Sequence, residues 1–415
     1  MPEGVKWEKA GLVGAAIGVV AAGAAAGVAI ERVTVGRGMR RRARLALDSA
    51  GPYGTLRGQP GTVAAEDGTE LYYETEDVAP PEPEPQTPPS RRSRGWLRRR
   101  AEAPQPVTVV FSHGYCLTQD SWHFQRAALR GTVRAVYWDQ RSHGRSERGR
   151  DQAAGGPATI DQLGRDLKAV LDAAAPEGPV VLIGHSMGGM TVMAFADQFP
   201  EYVEERVVGV AFVSTSAGKL AAVTLGLPAA GARAFRAVAP AVLRVLGSQA
   251  DLVERGRQAT ADLFAGIIKR YSFGSDVDPA VGRFAERLIE STPIDVVAEF
   301  YPAFTDHDKG DALSVLDGLP GLVLAGDKDL LTPSAHSKEI AEKLPDAELV
   351  IVEGAGHLVI MERPELVNAA LALLIAQAAD SVRAPVPQAL RDLAAARAAN
   401  SAATSSATRT TAADA

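Results

Sequence analysis

Three stretches of this chain carry side chains that can act together on an acyl group. The first is Gly184-His185-Ser186-Met187-Gly188-Gly189, directly after the apolar run Val180 to Ile183. A strand that delivers a serine into a turn flanked by glycines exposes its hydroxyl at a sharp elbow, because glycine lets neighbouring backbone approach without a Cβ clash. The second stretch is Gly326-Asp327-Lys328-Asp329, which places two carboxylates in a turn after the strand-like Leu322 to Ala325. The third is Gly354-Ala355-Gly356-His357, a histidine in a Gly-rich loop after Leu349 to Val352. A serine hydroxyl is a poor nucleophile at neutral pH. It needs an imidazole to take its proton and a buried carboxylate to hold that imidazole in one tautomer and stabilise its cation. The chain order Ser, Asp, His therefore predicts covalent acyl chemistry at Ser186, on the condition that all three strands end on one edge of a sheet. A GxSxG string by itself is equally an ordinary Gly-rich turn; the helical pattern of Met187 to Phe199 and the partners downstream argue against that bland reading.

The elements that must position these groups read as alternating strand and helix. Strands are predicted at Glu70 to Thr75, Val107 to Ser112, Val133 to Asp139, Val180 to Gly184, Val207 to Ser214, Gly321 to Ala325 and Glu348 to Val352. Helices are predicted at Ser121 to Arg130, Ile160 to Ala175, Met187 to Phe199, Ser334 to Leu344 and Pro364 to Ala378. Near-continuous Val, Ile and Leu runs suit strands covered on both faces, as a parallel sheet requires. Between Ser216 and Ala312 the strand signal stops and helical patterns take over. There, Leu225, Leu227, Phe235, Val238, Val242, Leu243 and Leu246 form an apolar surface, with Arg233, Arg236 and Arg244 interspersed. Packing onto the core is the bland reading of that surface; an acyl pocket or a membrane-facing lid is the sharper one.

Two further pieces complete a pattern. His113-Gly114-Tyr115 follows the strand Val107 to Ser112, and Asp139-Gln140-Arg141-Ser142-His143-Gly144-Arg145-Ser146 follows the next strand. With the elbow and the two downstream loops, the chain resembles the α/β-hydrolase fold family over most of residues 62 to 375. The resemblance implies an α/β fold, a mostly parallel doubly wound sheet with an inserted helical cap after its sixth strand. It implies Ser186 as nucleophile, His357 as general base and acid, and Asp329, rather than its competitor Asp327, as the orienting acid. The oxyanion hole it implies is built from the backbone amides of Tyr115 and Met187. The Tyr115 side chain reads as a pocket wall. Ser142 departs from the pattern, standing where the family often has glycine, which touches the local turn and no proposed catalytic atom.

Serine at the elbow also narrows the reaction. Haloalkane dehalogenases and epoxide hydrolases of this fold carry aspartate there, so the resemblance implies an acyl-enzyme and a small-molecule carboxylic ester or thioester as substrate. An acyltransferase, or a cofactor-free haloperoxidase or perhydrolase on the same three residues, is the alternative within catalysis. A catalytically silent binding protein on the same fold is the alternative outside it.

The remaining histidines read as structural. His113 fastens its loop, His143 belongs to the Arg-rich turn, and His185 packs beside the nucleophile. His123 and His336 are expected on helix surfaces, and His307 on an exposed loop. No HxxxH, HExxH or paired cysteines point to a metal, and the chemistry is expected to need no cofactor. The single cysteine, Cys116, allows no internal disulfide framework and reads as a passive wall residue.

Of the 415 residues, 46% are hydrophobic, ample for a buried sheet, and a net charge of -6 offers no global attraction to nucleic acid. Residues 1-45 read as an apolar segment with a basic stretch. Residues 46-215 read as the first part of the core, with a disordered Pro- and Arg-rich insert at 79-106. The cap is expected at 216-312, the second part of the core at 313-380 and a low-complexity tail at 381-415. Gly11 to Ile30 is an uncharged run of twenty residues, long enough to span a bilayer as a helix. Arg32, Arg37, Arg40, Arg41, Arg42 and Arg44 follow it, so the positive-inside rule puts the catalytic domain on the cytoplasmic side of a membrane. A cleaved signal peptide, and with it a secreted enzyme, is the rival. Membrane lipid contact is expected through 11-30 and through the Arg-rich 91-100 around Trp96 and Leu97. Oligomeric state is not legible.

Overall fold

A computed structural model of the protein describes residues 53–79, 105–154, 156–248 and 261–396. Eight strands form one sheet: β1 (Gln59–Ala64), β2 (Glu70–Glu76), β3 (Thr108–Ser112), β4 (Arg134–Trp138), β5 (Val180–His185), β6 (Val207–Val213), β7 (Gly321–Gly326) and β8 (Ala347–Val352). Their order is β1-β2-β4-β3-β5-β6-β7-β8. β1 with β2 and β2 with β4 are antiparallel; every later pairing is parallel. The seven expected strands are present within a residue or two of their ends. β1 is an addition. Pro60 and Gly61 interrupt any strand signal there, and the segment is extended because it pairs with β2 at the sheet edge, where proline is tolerated.

Successive residues of the central strands serve two cores. Val109, Phe111, Val181 and Ile183 point into a layer with Leu371, Leu374 and Ile375. Val110, Val180 and Leu182 point into the other, with Leu167, Val170, Val192 and Phe195. That period of two, apolar on both faces, is why these strands read as unbroken hydrophobic runs. The covering helices are α1 (His123–Leu129), the short α2 (Arg150–Ala153), α3 (Ile160–Ala174), α4 (Met187–Gln198) and α5 (Pro200–Arg206). Thr159 caps α3 by accepting a hydrogen bond from the Gln162 N–H, which satisfies one of the orphan donors of its first turn.

Between β6 and β7 the described residues form no strand, and their α-helices are α6 (Ala229–Ser248), α7 (Ala261–Ser272), α8 (Pro279–Glu290) and α9 (Ile294–Asp306). α8 buries Val281, Phe284 and Leu288 against the core, and α9 buries Val296, Phe300 and Ala303. Of the apolar surface expected in this insertion, Leu225 and Val238 are half-buried, whereas Leu227 and Val242 are exposed. The side chains of Phe235, Arg236, Leu243, Arg244 and Leu246 lie outside the described residues. Around the last two strands lie α10 (Ser334–Lys343), the short α11 (Val359–Glu362) and α12 (Pro364–Ser381). Beyond α12, residues 388–396 form another helical stretch that buries Leu390.

The expected membrane anchorage is corrected. Among the described residues, no helix is long and apolar enough to cross a membrane. Gly11 to Ile30, on which that expectation and its signal-peptide rival rested, lies outside the described residues, as do the Arg-rich 91-100 and most of the 79-106 insert. An Ala- and Gly-rich run is long enough to span a bilayer but gains little from doing so, so length alone was a weak warrant.

Candidate active site

β5 is buried throughout and ends at the elbow. Ser186 has φ 53° and ψ −119°, a backbone state that costs a non-glycine residue about 1–3 kcal/mol and persists only where its surroundings impose it. Here they do. The Ser186 N–H donates to Val213 O at 2.9 Å, and the Ser186 carbonyl accepts from Gly189 N at 2.9 Å and Thr215 Oγ1 at 2.6 Å. The two glycines of the motif are required by contact: a Cβ on Gly188 would lie 2.1 Å from Ser112 O, and one on Gly184 would lie 2.4 Å from Gly188 O.

β5, β7 and β8 run parallel, so the loops at their C-terminal ends share one rim. That rim brings Ser186, His357 and Asp329 together. Asp329 Oδ2 lies 2.8 Å from His357 Nδ1, and His357 Nε2 lies 3.0 Å from Ser186 Oγ. With a carboxylate accepting at Nδ1, the ring carries its proton there and presents the Nε2 lone pair to the serine O–H. Asp329 also accepts from Leu331 N and Thr332 N at 2.9 Å each and from Thr332 Oγ1 at 2.8 Å. Burial pushes the Asp329 carboxyl upward; the imidazole beside it and the hydrogen bonds from His357 and Thr332 outweigh that and hold it below its ordinary value. Ser186, His357 and Asp329 are only 9%, 6% and 4% exposed, so these interactions are shielded from water. Asp327 does not reach the ring. Its Oδ1 accepts from Gly354 N at 2.7 Å and so braces the loop that carries the histidine.

The first loop of the rim is held by two buried, neutral imidazoles. Gln140 N donates to His113 Nε2 at 2.9 Å, which leaves Nδ1–H to donate to Gly114 O at 2.7 Å. Cys116 N donates to His143 Nε2 at 3.3 Å, and His143 Nδ1–H donates to Arg141 O at 2.9 Å. Burial pushes His113 down to about 4 and His143 down to about 3. A carbonyl fixed in one direction points the N–H of the same trans peptide the other way. The bond to Gly114 O therefore sets the direction of the Tyr115 N–H. Among the described residues neither the Tyr115 N–H nor the Met187 N–H, the latter at the start of α4, finds a protein acceptor. The Tyr115 ring packs against Phe304 and its hydroxyl donates to Val297 O of α9.

Ser142 has φ 64°, the left-handed conformation that glycine adopts without penalty. Its hydroxyl accepts from Gly149 N at 3.0 Å, which ties the turn down. His185 donates from Nε2 to His357 O at 3.0 Å, linking the elbow to the histidine loop, and burial pushes its imidazole down to about 3. Burial also pushes the Cys116 thiol up to about 12, so it is a neutral wall group.

Three surface assignments are corrected. His123 is buried, accepts from Gly54 N at 3.3 Å and meets the rings of Tyr53 and Phe124. His307 is buried and donates to Ser216 O at 2.9 Å, while half-buried His336 pairs with Ser216 Oγ at 2.9 Å. Each is covered by a segment distant in sequence. Two supporting residues were not anticipated. Thr332 had a local signal, a hydroxyl three residues after Asp329 in a turn. Glu362 had none: it accepts from Gly356 N at 2.7 Å and from Ser275 N at 2.7 Å, joining the histidine loop to the insertion.

Comparison with known proteins addresses the family. The profile described as the Alpha/beta hydrolase family matches residues 109–370. An uncharacterized protein of Mycobacterium tuberculosis is 27% identical over 298 residues, covering 69% of this chain and 79% of that one. The sn-1-specific diacylglycerol lipase of Mus musculus is 30% identical over 266 residues, covering 62% of this chain and 77% of that one. Among solved structures, a thermophilic esterase from Thermogutta terrifontis is similar with a TM-score of 0.56 at 23% identity, covering 77% of this chain and 99% of that one, a likeness of fold alone. With a match that spans more than half of its 415 residues, the chain belongs to the α/β-hydrolase family.

Proposed function

We propose that the protein is a serine hydrolase that cleaves a small-molecule carboxylic ester or thioester through an acyl-enzyme. Ser186 gives its proton to His357 Nε2 while Oγ attacks the acyl carbon, and the carbonyl electrons move onto oxygen. The backbone N–H groups of Tyr115 and Met187 are the donors for that oxyanion. As the tetrahedral adduct collapses, the leaving alkoxide or thiolate takes the proton back from His357, and Ser186 is left acylated. Water then repeats the sequence: His357 removes its proton, the hydroxide portion adds to the acyl carbon, and Ser186 leaves with the proton. Asp329 stays ionised throughout and stabilises the imidazolium at each stage.

The observation that carries this reading is the continuous hydrogen-bonded path from Ser186 Oγ through His357 to Asp329. The relative described as a diacylglycerol lipase, an ester hydrolase by its name, supports the choice of an acyl ester. The helices between β6 and β7 act as a cap over the ester, and their packing sets which acyl chains fit. A fluorophosphonate probe is expected to label Ser186 at stoichiometry, and Ser186→Ala or His357→Ala to lower turnover of p-nitrophenyl acetate by about 10⁴-fold or more. Labelling elsewhere, or turnover retained in both variants, sinks the reading.

A further inference from the structure

Both residues whose N–H groups are assigned to the oxyanion send their side chains to the same helix of the insertion. Met187 is fully buried in a cluster with Val296, Phe300 and Ala303 of α9. Tyr115 meets the same helix from the other loop, its ring 4.8 Å from that of Phe304 and 6.4 Å from that of Phe300, with its hydroxyl on Val297 O. Tyr115 and Val297 are 182 residues apart, so only the seating of α9 on the core brings them together. The loop that carries Tyr115 leaves little room for adjustment: Gly114 O is bonded to His113, and Cys116 next to Tyr115 sits at φ 56° with its N–H on His143. The Tyr115 side chain adds a hold from α9 to the residue whose N–H these bonds aim.

α9 has a second, independent fastening. Arg148, in the loop after β4, donates to Asp295 at 2.5 Å and also to Glu299, one helical turn further along. With α9 in this seat, Ser186 is 9% exposed.

Resting on the serine-hydrolase reading above, we propose that Tyr115 is a positioning residue whose side chain couples the seating of α9 to the aim of its own backbone N–H at the oxyanion. A wall residue would act on binding and would act more strongly on longer acyl chains. A positioning residue acts on the chemical step whatever the chain length.

The test uses the full chain, p-nitrophenyl acetate and p-nitrophenyl octanoate, and the variants Tyr115→Phe, Arg148→Met and their combination. Tyr115→Phe keeps the ring and the backbone and removes the hydroxyl, with its bond to Val297 O and its contact with the Cys116 thiol. Its kcat is expected to fall about tenfold on both esters, with KM changed by less than about twofold, the scale of one hydrogen bond expressed in a transition state. Arg148→Met, which frees α9 from the other side, is expected to lower kcat on both esters too, and the combination to fall short of the product of the single effects. A Tyr115→Phe kcat within about twofold of the parent, a loss confined to KM and growing with chain length, or losses that multiply would overturn the coupling and leave the hydrolase standing. A parent chain that neither turns over ester nor takes up fluorophosphonate at Ser186 overturns the hydrolase reading itself.

Discussion

The rim of the sheet and the helices laid over it are held by different means. At the rim, β3, β5 and β7 are buried along their whole lengths, and the polar groups they present are locked by short bonds, such as Thr215 to Ser186 O and Asp327 to Gly354 N. In the insertion, α9 touches the core along one stripe, Val296, Phe300 and Ala303, and is pinned by surface-accessible Arg148, while Leu227 and Val242 stay 37% and 38% exposed. Close packing makes the rim intolerant of even one added carbon. The insertion is not uniform in this respect: α9 rests on a single stripe, whereas α8 buries Val281, Phe284 and Leu288 in the main core. The proposed reacting atoms therefore belong to the closely packed rim, and α9 is held beside them by fewer contacts.

The contrast is sharpest where two neighbouring carboxylates differ only in what they touch. Asp329→Asn is expected to lower kcat/KM on p-nitrophenyl acetate by about 10⁴, because an amide cannot hold the imidazole in its working tautomer or stabilise its cation. Asp327→Asn, which keeps an acceptor for Gly354 N, should cost less than about tenfold. Equal losses would erase the distinction between the carboxylate on the ring and the one on the loop.

Adding a methyl group probes packing directly. Gly188→Ala drives a Cβ into Ser112 O and should destabilise the fold by about 1–3 kcal/mol, measured as a lower urea midpoint. Gly266→Ala on α7, where a Cβ would meet nothing within 4 Å, should instead raise stability by about 0.5–1 kcal/mol. If both move the midpoint the same way, rim and insertion do not differ in packing as described.

Acid should act through the rim. His113, His143 and His185 are held by burial at about 4, 3 and 3, below their ordinary 6.5, so between those values the unfolded chain binds protons that the folded chain refuses. Stability is then complete above about pH 6.5 and declines as pH falls, by about 1.4 kcal/mol per pH unit for each imidazole. Urea midpoints unchanged between pH 7 and pH 5 would show that these rings are not sequestered. The smallest effect is expected at Leu227→Ser, an exposed position in the insertion, where the midpoint should stay within about 0.5 kcal/mol of the parent.

Local pattern was a good guide wherever an element is covered on both faces. β5 was legible because Val180 to Ile183 is apolar throughout, and α3 because its apolar residues repeat at helical spacing behind the cap Thr159. β1 was not, since Pro60 and Gly61 carry no strand signal and only pairing with β2 extends them. Histidines were the hardest residues to place. His307 and His123 look like surface groups by their neighbours in the chain, yet each is buried by a segment that the chain reaches much later or earlier, and no periodicity reports such a contact. Glu362 escaped for the same reason, its partners being Gly274 and Ser275 of one loop and Gly356 of another.

The chain by itself determined which residue types stand at strand ends, and in what order: serine in a glycine-flanked turn, a pair of carboxylates, a histidine in a loop. Those are properties of short segments, set by backbone preference and side-chain chemistry within a few residues. Which carboxylate faces the imidazole, and which helix holds the Tyr115 ring, were decided only when parallel strands aligned their ends on one rim and α9 settled across it. Contacts across 28 residues in one case and 182 in the other depend on the sum of all intervening packing, and no local segment contains that sum.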